Sequence, residues 1–193
     1  MTGENKIIHQ DLIEGCRNHD RKAQVRIYEL YYKAMYNTSY RILKNEAEAE
    51  DIMQEAFLDA FRKIDSFKGT GSFGSWLKKI VVNRSLDKLR TRKEMESLDE
   101  KEVEIEDAPE TDDSYAGNVF NRLEDVSRAM EALPDRYRVI LSLYLLEGYD
   151  HEEIAEILNI SYNNARTRYA RAKQSLLKEI GRQREKLINP INN

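Results

Sequence analysis

Asn163, Arg166, Thr167 and Arg171 are spaced so that one helix would present all four on an outer face while Ala165, Tyr169, Ala172 and Leu176 turn to a core. Arginine can pair bidentately with guanine and asparagine with adenine. Asn163 falls in the first turn of that helix, where recognition helices meet base edges. Arg168 and Lys173 flank this face and suit phosphates, and Ala170 is small enough for close approach. A second set gathers at a glycine-containing loop, where Phe67, Phe73 and Trp76 lie beside a run from Lys68 to Lys93 with eight basic residues against Asp87 alone. Rings next to cations are what the stacking of unpaired bases requires. Lys78, Lys79, Lys88 and Arg90 would then lie near phosphates. The same rings could instead close a small core, and the sequence leaves both readings open. Catalysis has no comparable set: the three His are scattered, with no nucleophile, base and orienter together. A lone Cys16 cannot form an internal disulfide, and no Cys/His cluster suits a metal, so no cofactor is expected.

Helices must position these residues. With three Pro and eight Gly, and few alternating β-branched runs, the chain reads as all-α. Residues 46–65 carry seven acidic residues against Arg62 and Lys63. Ala49, Ile52, Met53, Ala56, Phe57, Ala60, Phe61 and Ile64 recur there at helical spacing. The opposite face holds Asp51, Gln54, Glu55, Leu58 and Arg62. Such a face is either solvated or a partner surface, and Leu58 within it suits a partner. The basic run predicts a helix over about 75–90. Its apolar residues form no single stripe, which fits a central helix or one with a second surface. Upstream, a short helix over 11–16 and a helix capped by Asp20 are expected. The latter would bury Ala23, Ile27, Leu30, Tyr31 and Ala34, then Tyr36, Tyr40 and Leu43. Together these make a four-helix domain of roughly 85 residues, enough for one core.

Residues 94–113 hold eleven acidic residues and one base, Lys101, with Pro109 interrupting. This composition predicts a self-repelling, extended linker. Beyond it, Leu123, Val126, Met130 and Leu133 mark a helix that Pro134 ends, and Val139, Ile140, Leu143 and Leu146 mark the next, closed by Gly148. Asp150 and Glu153 have the spacing of a capping box ahead of Ile154, Ala155, Ile157 and Leu158. Asn159 suits a left-handed turn, and Ser161 caps the helix that follows. A short helix, a three-residue turn and a basic second helix make a helix-turn-helix. An ordinary helical hairpin with a basic face is the alternative, but eight basic residues against two acidic from Tyr162 to Lys186 favour DNA binding. The expected organisation is therefore two small helical domains, 1–93 and 118–193, joined by an acidic linker, 94–117.

Composition bounds the rest. The chain has 193 residues, 34% of them charged, and a net charge of −4. Its mean hydropathy is −0.73. No apolar run is long enough to span a membrane, and MTGENKIIHQ has no signal-peptide core, so a soluble, cytoplasmic protein is expected. The acidic average conceals charge sorted into blocks.

Three stretches in this order resemble bacterial RNA polymerase sigma factors of the extracytoplasmic-function (ECF) subfamily: AEDIMQEAFLDAFRKIDSF, SFGSWLKKIVVNRSLDKLR and LPDRYRVILSLYLLEGYDHEEIAEILNIS. The resemblance covers roughly residues 12–177. It implies that the helix over 49–61 docks on the clamp helices of the largest polymerase subunit, through Asp51, Gln54, Glu55 and Leu58. It implies that residues 67–90 melt and read the minus-ten element, with Phe67, Lys68, Phe73, Trp76, Lys79, Asn83 and Arg90 as the matching positions. The helix-turn-helix would read the minus-thirty-five element through Ser161, Asn163, Asn164, Arg166, Thr167, Arg168, Arg171 and Lys173. The implied partners are core RNA polymerase and promoter DNA, and the family admits an anti-sigma factor. After Ser161 the chain departs from the family's usual Gly-Thr-Val, with Tyr162, Asn163, Asn164 and Ala165 in its place. The promoter sequence is therefore not carried over. The rival reading is a stand-alone dimeric helix-turn-helix regulator, which leaves the acidic helix and linker unexplained. An enzyme is the more distant third.

Overall fold

The computed structural model describes residues 8–96 and 123–188, and the regular elements among them are all helical. The chain divides into two compact units, Met1–Glu100 and Lys101–Asn193. The expected linker lies outside the described residues from position 97 onward.

The first unit holds α1 (Gln10–Arg17), α2 (Arg21–Leu43), α3 (Glu46–Arg62), a 3₁₀ turn (Ile64–Ser66) and α4 (Phe73–Glu96). Side chains set the starts of three of these helices. Asp20 accepts from Lys22 N at 2.8 Å, Asn45 from Glu48 N at 3.0 Å, and Ser72 Oγ from Ser75 N at 3.0 Å. The Ser72 cap starts α4 at Phe73, two residues before the expected position, and the helix continues past Arg90 to Glu96. Ile27, Met35, Met53, Phe57, Leu77 and Val81 fill one apolar cluster. Ser39 and Ser85, both buried, place their hydroxyl oxygens 2.9 Å apart where α2 crosses α4.

The buried stripe of α2 differs from the expectation in its middle. Leu30 and Ala34 are exposed and Met35 is buried, while Tyr31, expected inward, is half-buried. In a helix of 23 residues the apolar stripe drifts round the axis, because 3.6 residues per turn does not repeat on a whole number. Tyr31 packs edge-on to Phe73, with ring centroids 5.5 Å apart. Gly74 permits this, since a Cβ there would stand 3.0 Å from the Tyr31 ring.

The second unit holds α5 (Leu123–Glu131), α6 (Asp135–Leu141), a π turn (Ser142–Leu146), α7 (His151–Leu158) and α8 (Tyr162–Ile188). Ala129, Leu133, Ile140, Leu143, Ile154, Ala165, Ala172, Leu176 and Ile180 are buried. Leu146, expected inward, is exposed together with Leu145 because the wider π turn rotates the last positions of the segment outward. Gly148 follows at φ 79°, a left-handed value that ends the segment.

Candidate nucleic-acid interface and docking surface

The outer face of α3 is built by the apolar periodicity on its other side. Ala49, Ile52, Met53, Ala56, Phe57 and Ala60 are all buried, which leaves Asp51, Gln54, Glu55 and Leu58 exposed in a row. Leu58 is 55% exposed. Gln54 Nε2 donates to Glu50 at 3.3 Å. Glu55 differs from its neighbours, because its carboxylate accepts from Arg84 Nη1 of α4.

That contact belongs to a set of cross-helix pairs. Arg84 also donates through Nε and Nη2 to Asp59 Oδ2, at 2.9 and 2.6 Å. These bonds, with the Arg84 charge, hold the Asp59 carboxyl below its ordinary value against the opposing effect of burial. Further along, Lys88 stands 3.7 Å and Arg92 3.3 Å from Glu48. The acidic and basic halves of the first unit thus face each other, and part of the charge that the sequence assigned to phosphates neutralises α3 instead. Sequence reading missed these pairs. Successive helices of opposite charge were the available signal, but the partners depend on helix register.

The aromatic cluster resolves as core at two of its three positions. Phe67 is 4% and Phe73 1% exposed, with centroids 5.5 Å apart at 89°. They are therefore corrected from stacking residues to core residues: a benzyl side chain has no polar atom to keep it in water, and the turn after α3 folds both rings inward. Trp76 is half-buried against them, with centroids 5.6 Å from Phe67 and 5.4 Å from Phe73. Lys68, Lys79, Asn83 and Arg90 are exposed, and Arg90 pairs with Asp87 at 3.1 Å. Lys79 and Asn83 are four residues apart and so share one edge of α4.

In the second unit the capping box forms as expected. Asp150 Oδ1 accepts from Glu152 N and Glu153 N at 2.8 and 2.9 Å, and Asp150 N donates to Glu153 Oε2 at 3.0 Å. Asn159 takes φ 55°, and Ser161 Oγ accepts from Asn164 N at 3.2 Å. α7, the turn and α8 make the helix-turn-helix. Ser161, Asn163, Asn164, Arg166 and Ala170 are exposed. Thr167, Arg168, Arg171 and Lys173 are half-buried, and Arg171 Nε is shielded from solvent. The outer face is thus narrower than expected and centres on the first two turns, because a 27-residue helix packed along α5, α6 and α7 gives up its flanks to them.

An aromatic box not anticipated from sequence braces this helix. The His151 ring stacks on Tyr144 (centroids 4.8 Å) and meets Tyr169 at 5.2 Å and Tyr162 at 6.4 Å. Burial, and then the Arg166 charge, lower the His151 pKa from its ordinary value. Arg166 itself lies 6.0 Å from the Tyr162 ring centroid. Tyr169 is accordingly half-buried in the box rather than sealed in the core.

Two helical units, one with an exposed α3 face and a basic α4 edge and one with a helix-turn-helix, define a class of DNA-binding transcription protein. Residues 27–94 match the Sigma-70 region 2 family and residues 123–176 the Sigma-70, region 4 family. The chain is 33% identical over 178 residues to the ECF RNA polymerase sigma factor SigW of Bacillus subtilis (strain 168), covering 87% of this chain and 94% of that protein. It is 26% identical over 184 residues to the ECF RNA polymerase sigma-E factor of Escherichia coli (strain K12), covering 89% and 93%. The solved sigma factor RpoE of Bartonella quintana, in complex with the anti-sigma factor NepR, matches with a TM-score of 0.56 at 24% identity. That match covers 81% of this chain and 95% of the other, and supports the fold. The chain belongs to the ECF RNA polymerase sigma factors. It is a transcription initiation factor that binds core RNA polymerase and directs it to promoter DNA, and the stand-alone regulator is not favoured.

Proposed function

We propose the following division of labour. The first domain, 1–93, docks on core polymerase through Asp51, Gln54, Glu55 and Leu58 of α3, with Glu55 also held by Arg84 and the clamp helices of the largest subunit as partner. The basic edge of α4 engages the minus-ten element through Lys79 and Asn83, with Lys68, Trp76 and Arg90 beside them. The acidic linker, expected over 94–117, begins where α4 ends at Glu96. The second domain, 118–193, reads the minus-thirty-five element through the first turns of α8. There Asn163, Asn164 and Arg166 meet base edges, while Ser161, Thr167, Arg168, Arg171 and Lys173 serve the backbone and the packing of the helix. The protein has no catalytic role of its own and acts in the cytoplasm. Among the described residues no helix is long and apolar enough to cross a membrane. An anti-sigma factor is a further partner, supported by the NepR complex of the Bartonella quintana relative.

The observation that carries this reading is Leu58, 55% exposed in the outward row with Asp51, Gln54 and Glu55. The test is reversal of Asp51 to Lys, with core binding and helicity measured together. Asp51 is the cleaner position, because Glu55 is tied to Arg84. Lost core binding with helicity retained supports the assignment, and unchanged core affinity overturns it.

A further inference from the structure

Arg84 follows Asn83 on α4 and reaches across to two carboxylates of α3. Its Nε and Nη2 hold Asp59 Oδ2 at 2.9 and 2.6 Å, and its Nη1 donates to Glu55. The Asp59 side chain is only 15% exposed, with Arg62 at 3.7 Å and Lys63 at 3.9 Å closing round it. The guanidinium is planar and its donors are fixed in direction, so three bonds from one group define both the distance and the rotation between two helices.

The buried α3 residues next to Glu55 and Asp59 are Ala56 and Ala60, whose single methyl groups form low ridges. Glu55 and Asp59 lie one turn apart, and Glu55 stands in the exposed row with Asp51, Gln54 and Leu58. The same guanidinium therefore joins the docking helix to the helix carrying Lys79 and Asn83.

We infer that Arg84 is a positioning residue for promoter opening: it sets α4 against α3 so that Lys79 and Asn83 stand at a fixed offset from the polymerase-docked face. This rests on the division of labour proposed above. Arg84 does its work through Asp59 and Glu55 and without touching DNA, so removing its partner is equivalent to removing its fork. Lysine at this position keeps the charge but lacks the planar fork that places two donors on Asp59 Oδ2 and a third on Glu55.

The test uses the full-length chain assembled with the core polymerase of its own organism, at saturating core. The rate of open-complex formation on a duplex promoter is measured for Arg84→Lys, Asp59→Asn and Asn83→Ala. Core affinity and the thermal midpoint, followed by Trp76 fluorescence, are measured alongside. Arg84→Lys and Asp59→Asn are both expected to slow opening by about tenfold at temperatures well below the midpoint, with core affinity changed less than about twofold. A direct DNA contact by Arg84 predicts slowing in Arg84→Lys but not in Asp59→Asn. A merely structural role predicts a lowered midpoint with the opening rate unchanged below it. Either result overturns the inference. If Asn83→Ala slows opening while the other two do not, the inference alone fails. If Asn83→Ala is also without effect, the assignment of α4 to the minus-ten element fails, and the inference with it.

Discussion

The first and second units both carry dense positive charge on a helix, yet they use it differently. On α4, Arg84, Lys88 and Arg92 turn to the carboxylates of α3. The exposed edge that remains includes Lys79, Asn83 and Arg90. On α8 the first two turns carry Asn163, Asn164 and Arg166 outward, while a box of rings round His151 supports them from below. A count of basic residues therefore overstates the outward charge of both units, through cross-helix pairs on α4 and through the half-burial of Arg168, Arg171 and Lys173 on α8. On α4 the acidic neighbour decides how much charge remains outward, and on α8 the packing of the helix flanks does.

The largest effect expected is on the aromatic rings of the first unit. Phe73→Ala should destabilise that unit by ~3–5 kcal/mol, the usual cost of deleting a buried ring. Trp76, the only tryptophan, reports its unfolding. A small loss of stability with a large loss of promoter opening would return Phe73 to the stacking role.

In the second unit the expected cost is one of recognition. Arg166→Ala should lose ~1–3 kcal/mol at one or two upstream base pairs if its contact is bidentate. Selection of promoter variants with the mutant holoenzyme measures this, and an unchanged base preference would reduce Arg166 to an electrostatic part. Arg171→Ala, being half-buried, should instead lower the stability of the unit. On the docking face, Asp51→Lys should weaken core binding by at least about tenfold, or ~1.4 kcal/mol. Lys79→Ala should weaken all promoters about equally and reduce the salt slope of DNA binding by about one. A base-specific loss at Lys79 would erase the contrast between the two helices.

Acid separates the units by the smallest and most graded effect. The folded second unit resists protonation of His151, so between its lowered pKa and the unfolded value of about 6.5 the unfolded chain binds more protons. Its contribution is complete above that value and declines as pH falls through it. Asp59 is also lowered, but from a carboxylate value near 3.8, so its contribution to the first unit persists until far more acid conditions. Circular dichroism should detect the second unit weakening first while Trp76 fluorescence stays native, and His151→Phe should remove the mild-acid slope.

Much of this protein was readable without coordinates. The periodicity of residues 49–64 named the buried face of α3 and, by subtraction, the exposed row of Asp51, Gln54, Glu55 and Leu58. The capping box at Asp150 and Glu153, the left-handed Asn159 and the Ser161 cap followed from local hydrogen-bonding chemistry. Such features depend on neighbours within one turn of chain, so the sequence alone determines them. Tertiary structure decided what depends on distant partners. It turned Phe67 and Phe73 inward, left Leu30 exposed, and set three rings from two other segments round His151. It also spent the charge of Arg84 on Asp59, 25 positions away in the chain. A side chain's type fixes what it can bind, but which partner stands within reach of a guanidinium or a ring is a property of helix packing, and no local window of sequence contains it.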